Sequence, residues 1–291
     1  NSQEEAYAAI EEYKAAVMAS GDEVYGENIT LTPQPQVSIV VEDHSTGYVV
    51  AMVGGRGQKE GSRTLNRATD SKRQPGSTFK VVGVYAPALD SAGLTLATVQ
   101  NDAPFNYNEG RPVSNWWGNK PEDYRGLSSL RQGIIDSMNI VAVKTLTQIT
   151  PQLGFDYLKN FGFTTLIDRE EITVNGKTQI FSDIQQSLAL GGVTRGVTNE
   201  ELTASYAAIA NGGTYIKPKL YTKVLDHDGN VILDNTQPQS RQVIKETTAW
   251  LLTDAMVDVV TAGTGTSVNF GNMAIAGKTG TSTGDRDLWF A

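Results

Sequence analysis

The stretch Arg73-Gln74-Pro75-Gly76-Ser77-Thr78-Phe79-Lys80 sets a serine and a lysine three residues apart at the start of a predicted helix. Pro75 suits a first helical turn, where its missing N–H costs nothing. The run Phe79, Val81, Val82, Val84, Tyr85, Ala88, Leu89 then reads as a largely buried helix. Residues i and i+3 share a helix face, so the Lys80 amine is expected one turn from the Ser77 hydroxyl. A free serine is a weak nucleophile at neutral pH and needs a neighbouring base. A lysine serves as that base only when neutral, a state that burial and nearby positive charge favour. S-x-x-K alone is a common pattern, so its meaning depends on the rest of the chain.

At 291 residues the chain has ample material for a core, as one large domain or two ordinary ones. A hydrophobic content of 39% with 19% charged residues describes a globular chain. The net charge of −8 argues against nucleic acid as a partner. No run of about 18 apolar residues is present to span a bilayer. Zero cysteines exclude disulfides, thiol catalysis and cysteine-ligated metals. Asn1 opens the chain without an initiator Met, and it is read as a fragment of a longer protein.

In order, residues 1–19 have a helical pattern that Ser20-Gly21-Asp22 stops. Val37–Val41 and Tyr48–Val53 form a predicted hairpin about the turn Asp43–Gly47, and a polar loop follows over 56–74. From about 91 to 210 the signals are mainly helical: Leu127–Ile149, Gln152–Phe161, Asp183–Leu190 and Asn199–Asn211. A hairpin interrupts them at Ile172–Val174 and Lys177–Phe181, turning at Asn175-Gly176. Asn101–Pro121, with Trp116 and Trp117, reads as an ordered loop. Thr214–Leu220, Tyr221–Leu225 and Val231–Leu233 read as extended, Thr247–Val260 as an amphipathic helix, and Met273–Thr281 and Leu288–Ala291 as strands.

Two further motifs follow Ser77 in order: Ser137-Met138-Asn139, at a break in the 127–149 helical region, and Lys278-Thr279-Gly280 on the late strand. S-x-x-K, S-x-N and K-T-G together are the set found in penicillin-binding proteins and class A β-lactamases. A second S-x-N, Ser267-Val268-Asn269, lies in a glycine-rich loop too close to Lys278 to fit the set. The flanks resemble the transpeptidase domain of class A, bifunctional penicillin-binding proteins. These are Asn66-Arg67-Ala68-Thr69 before Arg73, Leu130-Arg131-Gln132 before Ser137, Leu190-Gly191-Gly192-Val193-Thr194, the Ala207 to Gly213 stretch and Gly263-Thr264-Gly265-Thr266. The resemblance covers residue 36 to the end, with 1–35 as a helix and linker.

The resemblance implies an α/β fold, an antiparallel sheet flanked by helices plus an all-helical part that contributes Ser137. It implies that Ser77 forms an acyl-enzyme, Lys80 takes its proton, and Ser137 relays a proton to the departing amine. Asn139 would bind the substrate amide and hold Lys80; Lys278 would keep positive potential in the site. Thr279 and Thr281 would offer hydroxyls to a substrate carboxylate, and Gly280 would leave room for the substrate beside the strand. The backbone N–H groups of Ser77 and Thr281 would form the oxyanion hole. The implied reaction is D,D-transpeptidation of peptidoglycan stem peptides without cofactor or metal, with β-lactams as inhibitors. The implied location is the cell envelope, outside the cytoplasm, with the whole protein anchored to the membrane.

In the family two more strands follow the K-T-G strand and close the sheet. Here the first is only beginning at Leu288–Ala291, so a second polypeptide segment, or a continuation of this chain, is expected to complete it. The alternatives are a D,D-carboxypeptidase, a β-lactamase and a non-catalytic β-lactam sensor. A β-lactamase needs a glutamate to activate water, and Glu171, in Glu171-Ile172-Thr173-Val174-Asn175, is the candidate. His44 and His227 sit in polar turns, and Asp226-His227-Asp228-Gly229-Asn230 reads as a turn, not a calcium loop. Trp116 and Trp117 fit either a substrate groove or plain packing.

Overall fold

Residues 79–88 supply the centre of the molecule: each is buried, from Phe79 to Ala88. In the computed structural model, which describes residues 3–21, 35–59, 61–174 and 177–291, the chain forms two compact units, Asn1–Gln36 and Val37–Ala291. The first holds helix α1 (Gln3–Ala19), on which Tyr7 and Tyr13 are exposed. No helix among the described residues is long and apolar enough to cross a membrane.

The second unit opens with the hairpin β1 (Ile39–Asp43) and β2 (Tyr48–Val53), antiparallel with a bulge at Val41/Glu42. Asp43 makes the connecting turn, its carboxylate accepting from the backbone and hydroxyl of Ser45. A 3-10 turn (Gly76–Thr78), a π-helical segment (Lys80–Tyr85) and α2 (Ala86–Asp90) follow as one buried rod. The sequence reads this stretch as a single helix; the structure changes its pitch twice. Three β-branched valines and Gly83 favour an α-turn weakly, so a wider turn costs little there.

The strand β3 (Val99–Asp102) pairs antiparallel with β4 (Gly126–Ser129), and α3 (Leu130–Ile135), α4 (Asn139–Ile149) and α5 (Pro151–Asn160) follow. Leu127–Ser129 is thus strand, not the start of the expected long helix. Ser129 ends the ladder by capping α3, its hydroxyl accepting from Gln132 N at 3.1 Å. The hairpin β5 (Glu170–Val174) and β6 (Lys177–Phe181) forms as expected, though its Asn175-Gly176 turn lies outside the described residues. Of the helix expected over Asp183–Leu190 only a 3-10 turn, Gln186–Leu190, exists. The buried Asp183 instead ties loops together, accepting from Ile167 N (2.8 Å) and from Thr194 N and Oγ1 (both 2.7 Å).

Helix α6 (Asn199–Ala210) starts at a capping box between Thr198 and Glu201 and packs on β1. The short strands β7 (Thr214–Ile216), β8 (Lys223–Leu225), β9 (Val231–Asp234) and β10 (Ser240–Gln242) pair as β7–β10 and β8–β9. Helix α7 (Glu246–Ala262) buries Ala249, Leu252, Met256 and Val259, one stripe at helical spacing, against α2, α3 and α6. The ribbon β11 (Thr279–Thr281) with β12 (Leu288–Phe290) closes the described chain, and Lys278 and Ala291 exchange both backbone bonds at its end. Residues 273–277, expected as strand, have no ladder partner among the described residues. All strand pairs are antiparallel and helices flank them, as the α/β expectation holds; among the described residues each sheet has two strands.

Candidate active site

Ser77 is placed by contact between two backbones. Gly76 has φ +57°, and a Cβ there would stand 2.5 Å from the carbonyl oxygen of Thr281. On the other side a Cβ on Gly280 would meet Pro75 O at 2.7 Å. The two glycines let β11 lie directly against the turn that carries the serine. Gly280 therefore makes room for the turn that carries Ser77. Thr78 Oγ1 donates to Pro75 O at 2.7 Å and tightens the turn. The 3-10 turn ends at Thr78, and Lys80 opens the π-helical segment that follows it.

Lys80 is fully buried; its amine donates to Ser137 O (2.6 Å) and Asn139 Oδ1 (2.6 Å), and Ser137 Oγ lies 3.2 Å from it. Lys278 is also fully buried and donates to Ser137 Oγ at 2.8 Å and to Thr279 O at 3.1 Å. Ser137 holds its hydroxyl between the two amines from a left-handed backbone, φ +54°, between α3 and α4. Among the described residues neither lysine has a carboxylate at ion-pair distance. Two ammonium groups cannot share such a dry site. Burial, and then the charge of Lys278, drive the Lys80 amine well below the ordinary lysine value. Burial alone brings Lys278 down to about 7. A neutral amine has two hydrogens and a lone pair. In the neutral form the two carbonyl oxygens at 2.6 Å would take both hydrogens of Lys80 and leave its lone pair for a neighbouring hydroxyl.

A cleft of about 1150 Å³ opens over this arrangement, and Ser77, Ser137, Asn139, Thr279 and Thr281 line it with Trp116. Lys80, Lys278 and Gly280 sit behind its wall, buried. The structure thus brings all eight residues read from the three motifs to one place. Thr279 Oγ1 lies 2.6 Å from Thr264 Oγ1, which also lines the cleft. The two tryptophans divide the two readings given to them. Trp116 is 65% exposed on the cleft and anchored by its indole N–H to Asp136 O. Trp117 packs beneath, with the Arg125 guanidinium 4.1 Å over its ring.

Other candidates lie elsewhere. Glu171 is exposed on β5, 3.4 Å from Arg169, and does not line the cleft. His227 is exposed beside Asp228, and neither histidine lines the cleft. Asp226 turns back on its own loop, accepting from Asp228 N and Asn230 N. The second S-x-N falls at another 3-10 turn, Thr266–Val268. Sequence reading missed Asn115 and Asp102. Asn115, 4% exposed, accepts from Asn139 N at 2.9 Å and donates to the carboxylate of Asp102 at 2.8 Å. The only signal in the sequence is that Asn115 lies in a loop dense in Asn, Pro and aromatic residues.

Residues 37–286 match the penicillin binding protein transpeptidase domain. The chain belongs to that family. It is 35% identical over 266 residues to penicillin-binding protein 1A of Clostridium tetani (strain Massachusetts / E88), covering 89% of this chain and 32% of that protein. The chain therefore spans about a third of the length of the curated relatives it matches. Among solved structures, penicillin-binding protein 1A from Haemophilus influenzae superposes with a TM-score of 0.72 at 24% identity, over 88% of this chain and 41% of that one. The imipenem acyl-enzyme complex of penicillin-binding protein A from M. tuberculosis gives 0.60 at 25% identity, over 78% and 52%. The transpeptidase-family fold expected from the motifs is thus the fold of this chain.

Proposed function

We propose that this chain is a serine D,D-transpeptidase domain that cross-links peptidoglycan stem peptides through an acyl-enzyme on Ser77, and that β-lactams acylate the same serine. The carrying observation is Ser137 Oγ, hydrogen-bonded to two buried amines without counter-ions on the wall of the Ser77 cleft. In this reading Ser77 Oγ attacks the carbonyl of a terminal D-Ala-D-Ala bond while its proton passes to the lone pair of Lys80. The carbonyl oxygen becomes an oxyanion facing the backbone N–H groups of Ser77 and Thr281. The proton returns through Ser137 to the departing D-alanine amine as the C–N bond breaks. An amine of a second stem peptide then attacks the ester, gives its proton to the same relay, and frees Ser77. Lys278, as the cation, with Thr279 and Thr281 receives the substrate carboxylate. Asn139 has an amide hydrogen left for the substrate, since its Nδ2 donates to Ser114 O and can donate once more.

The exposed position of Glu171 favours this reading over a β-lactamase. A D,D-carboxypeptidase would use the same machinery with water as acceptor. The proposed partners are stem peptides, β-lactams and a further polypeptide segment adding strands at free ribbon edges. Exposed Ile39 and Val41 on β1 and Leu288 and Phe290 on β12 support that last element. The proposed location is the outer side of the cytoplasmic membrane, as part of an anchored protein. The test is intact mass after incubation with a penicillin, beside Ser77→Ala. A stable single adduct absent from the variant is expected. Catalytic destruction of penicillin would favour the β-lactamase, and no adduct would overturn the assignment of Ser77.

A further inference from the structure

The three motifs account for the lysines, the serines and Asn139, but not for what holds residues 137–139 in place. Helix α4 begins at Asn139, and the residue before it, Met138, has no side-chain oxygen to receive the first free amides. Asn115 performs that task from another loop: its Oδ1 accepts from Asn139 N at 2.9 Å and from Ile140 N at 3.3 Å. Its Nδ2 donates to Asp102 Oδ1 at 2.8 Å. Asp102 is fully buried on β3, and its other oxygen accepts from Arg125 N at 2.9 Å. A carboxylate only accepts and a backbone amide only donates, so one orientation of the Asn115 amide satisfies both neighbours.

The same loop also takes the Asn139 side chain, whose Nδ2 donates to Ser114 O at 2.8 Å while its Oδ1 receives Lys80. Two residues earlier, Ser137 sits at φ +54°, a conformation that persists only where its surroundings over-determine it. The chain of contacts runs from the Asp102 carboxylate through Asn115 to Asn139 and ends on the Lys80 amine.

We infer that Asn115, oriented by the buried Asp102, is a positioning residue for the proton relay: it holds Asn139 on Lys80 and keeps Ser137 Oγ between the two lysines. The inference rests on the acyl-enzyme reading above. It assigns work to two residues outside every motif, and it separates their effect on the chemical step from any effect on binding.

Acylation by a fluorescent penicillin tests it, with the first-order acylation constant measured apart from the preceding non-covalent dissociation constant, and with Tm followed in parallel. N115D keeps an oxygen for the α4 amides but turns a second carboxylate onto Asp102. Its acylation constant should fall about 100-fold with the dissociation constant unchanged, the size of loss that a displaced catalytic group causes. D102N removes the fixed acceptor and should cost about tenfold. D102N/N115D swaps donor and acceptor, restores the hydrogen bond with reversed polarity, and should bring the acylation constant back to within about fivefold of wild type. Should N115D not fold, D102N against the double variant carries the same comparison. A wild-type acylation constant in N115D, a double variant no faster than the slower single one, or a swap that restores Tm without the acylation constant would overturn the inference. Failure of the wild-type chain to acylate at Ser77 is a separate result, and would instead remove the reading on which it rests.

Discussion

Two turns face each other across the cleft with nearly the same unusual backbone: Gly76 at φ +57° and Ser137 at φ +54°. At the first, the conformation is free of strain because the residue is glycine, and the absent Cβ lets the Thr281 backbone approach. At the second, a serine bears the strain, because its hydroxyl is the group both lysines reach. The Ser77 turn is held by close packing, and the Ser137 turn by a polar net through Asn139 and Asn115. Packing suits a serine that, as the proposed nucleophile, must stay in register with a strand. A polar net suits a hydroxyl that must exchange protons with its neighbours.

Ser137→Gly should separate conformation from chemistry most sharply. Glycine removes the strain and raises stability by about 1 kcal/mol, yet penicillin acylation falls by about 10²-fold or more with the lost hydroxyl. Denaturant unfolding and acylation rates measured on one preparation would show the two moving in opposite directions; a fall in both would mean that the acceptor lost to Lys278 outweighs the relieved strain. Gly76→Ala should do the reverse at the other turn. Its Cβ would press on the Thr281 backbone, so stability drops by about 3 kcal/mol and acylation drops with it. An alanine variant of wild-type Tm would refute the packing account.

Away from both turns, Glu42 on β1 tests how far burial alone shapes the charges. Burial, then the facing Glu200 of α6 and the adjacent Asp43, raise its carboxyl from 4.5 to about 7, and Tyr215 of β7 also lies within its field. Its Oε2 is buried, with no hydrogen-bond partner among the described residues. The folded state therefore keeps a proton that the unfolded chain has released, and stability present below pH 4.5 is lost as pH rises through about 7. Glu42→Gln should leave stability unchanged in acid and raise it by about 1 kcal/mol at alkaline pH, an amount reduced for solvent screening of a partly exposed group. Equal Tm shifts at both pH extremes would exclude this. The smallest effect is expected at Tyr85, fully buried, whose hydroxyl has no partner among the described residues. Tyr85→Phe removes an unsatisfied group and should stabilise by about 0.5–1 kcal/mol with acylation unchanged. A destabilised variant would mean that the hydroxyl has a partner, such as an internal water.

The site was more legible in the sequence than the architecture around it. Ser77, Ser137 and Lys278 could be read because their chemistry constrains short spacings, and the break at Ser137-Met138 sits where the S-x-N motif falls. The β1–β2 turn was legible through Asp43–Gly47, whose side chains build it locally. Where partners come from elsewhere in the chain, the reading failed. Leu127–Ser129 has the apolar spacing of a helix but lies beside β3, which claims its backbone. Residues 273–277 have strand composition but no ladder partner among the described residues. Asp183 was read into a helix, yet its carboxylate binds Ile167 and Thr194. Asn115 reaches Asn139 across 24 positions, with no spacing rule to announce it.

The contacts that close the Ser77 turn come from far along the chain: Arg73 pairs with Asp287 at 2.5 Å across 214 positions, and the Trp289 indole N–H donates to Gln74 O across 215. Such pairings form late in folding, since the entropy of a long loop must be spent before the contact returns anything. A chain emerging from synthesis therefore holds Ser77 long before β11 and β12 arrive to close its turn. Under the proposed acyl-enzyme reading, penicillin capture should then require the completed fold, and pulse-labelling during refolding would time the arrival of the last strands.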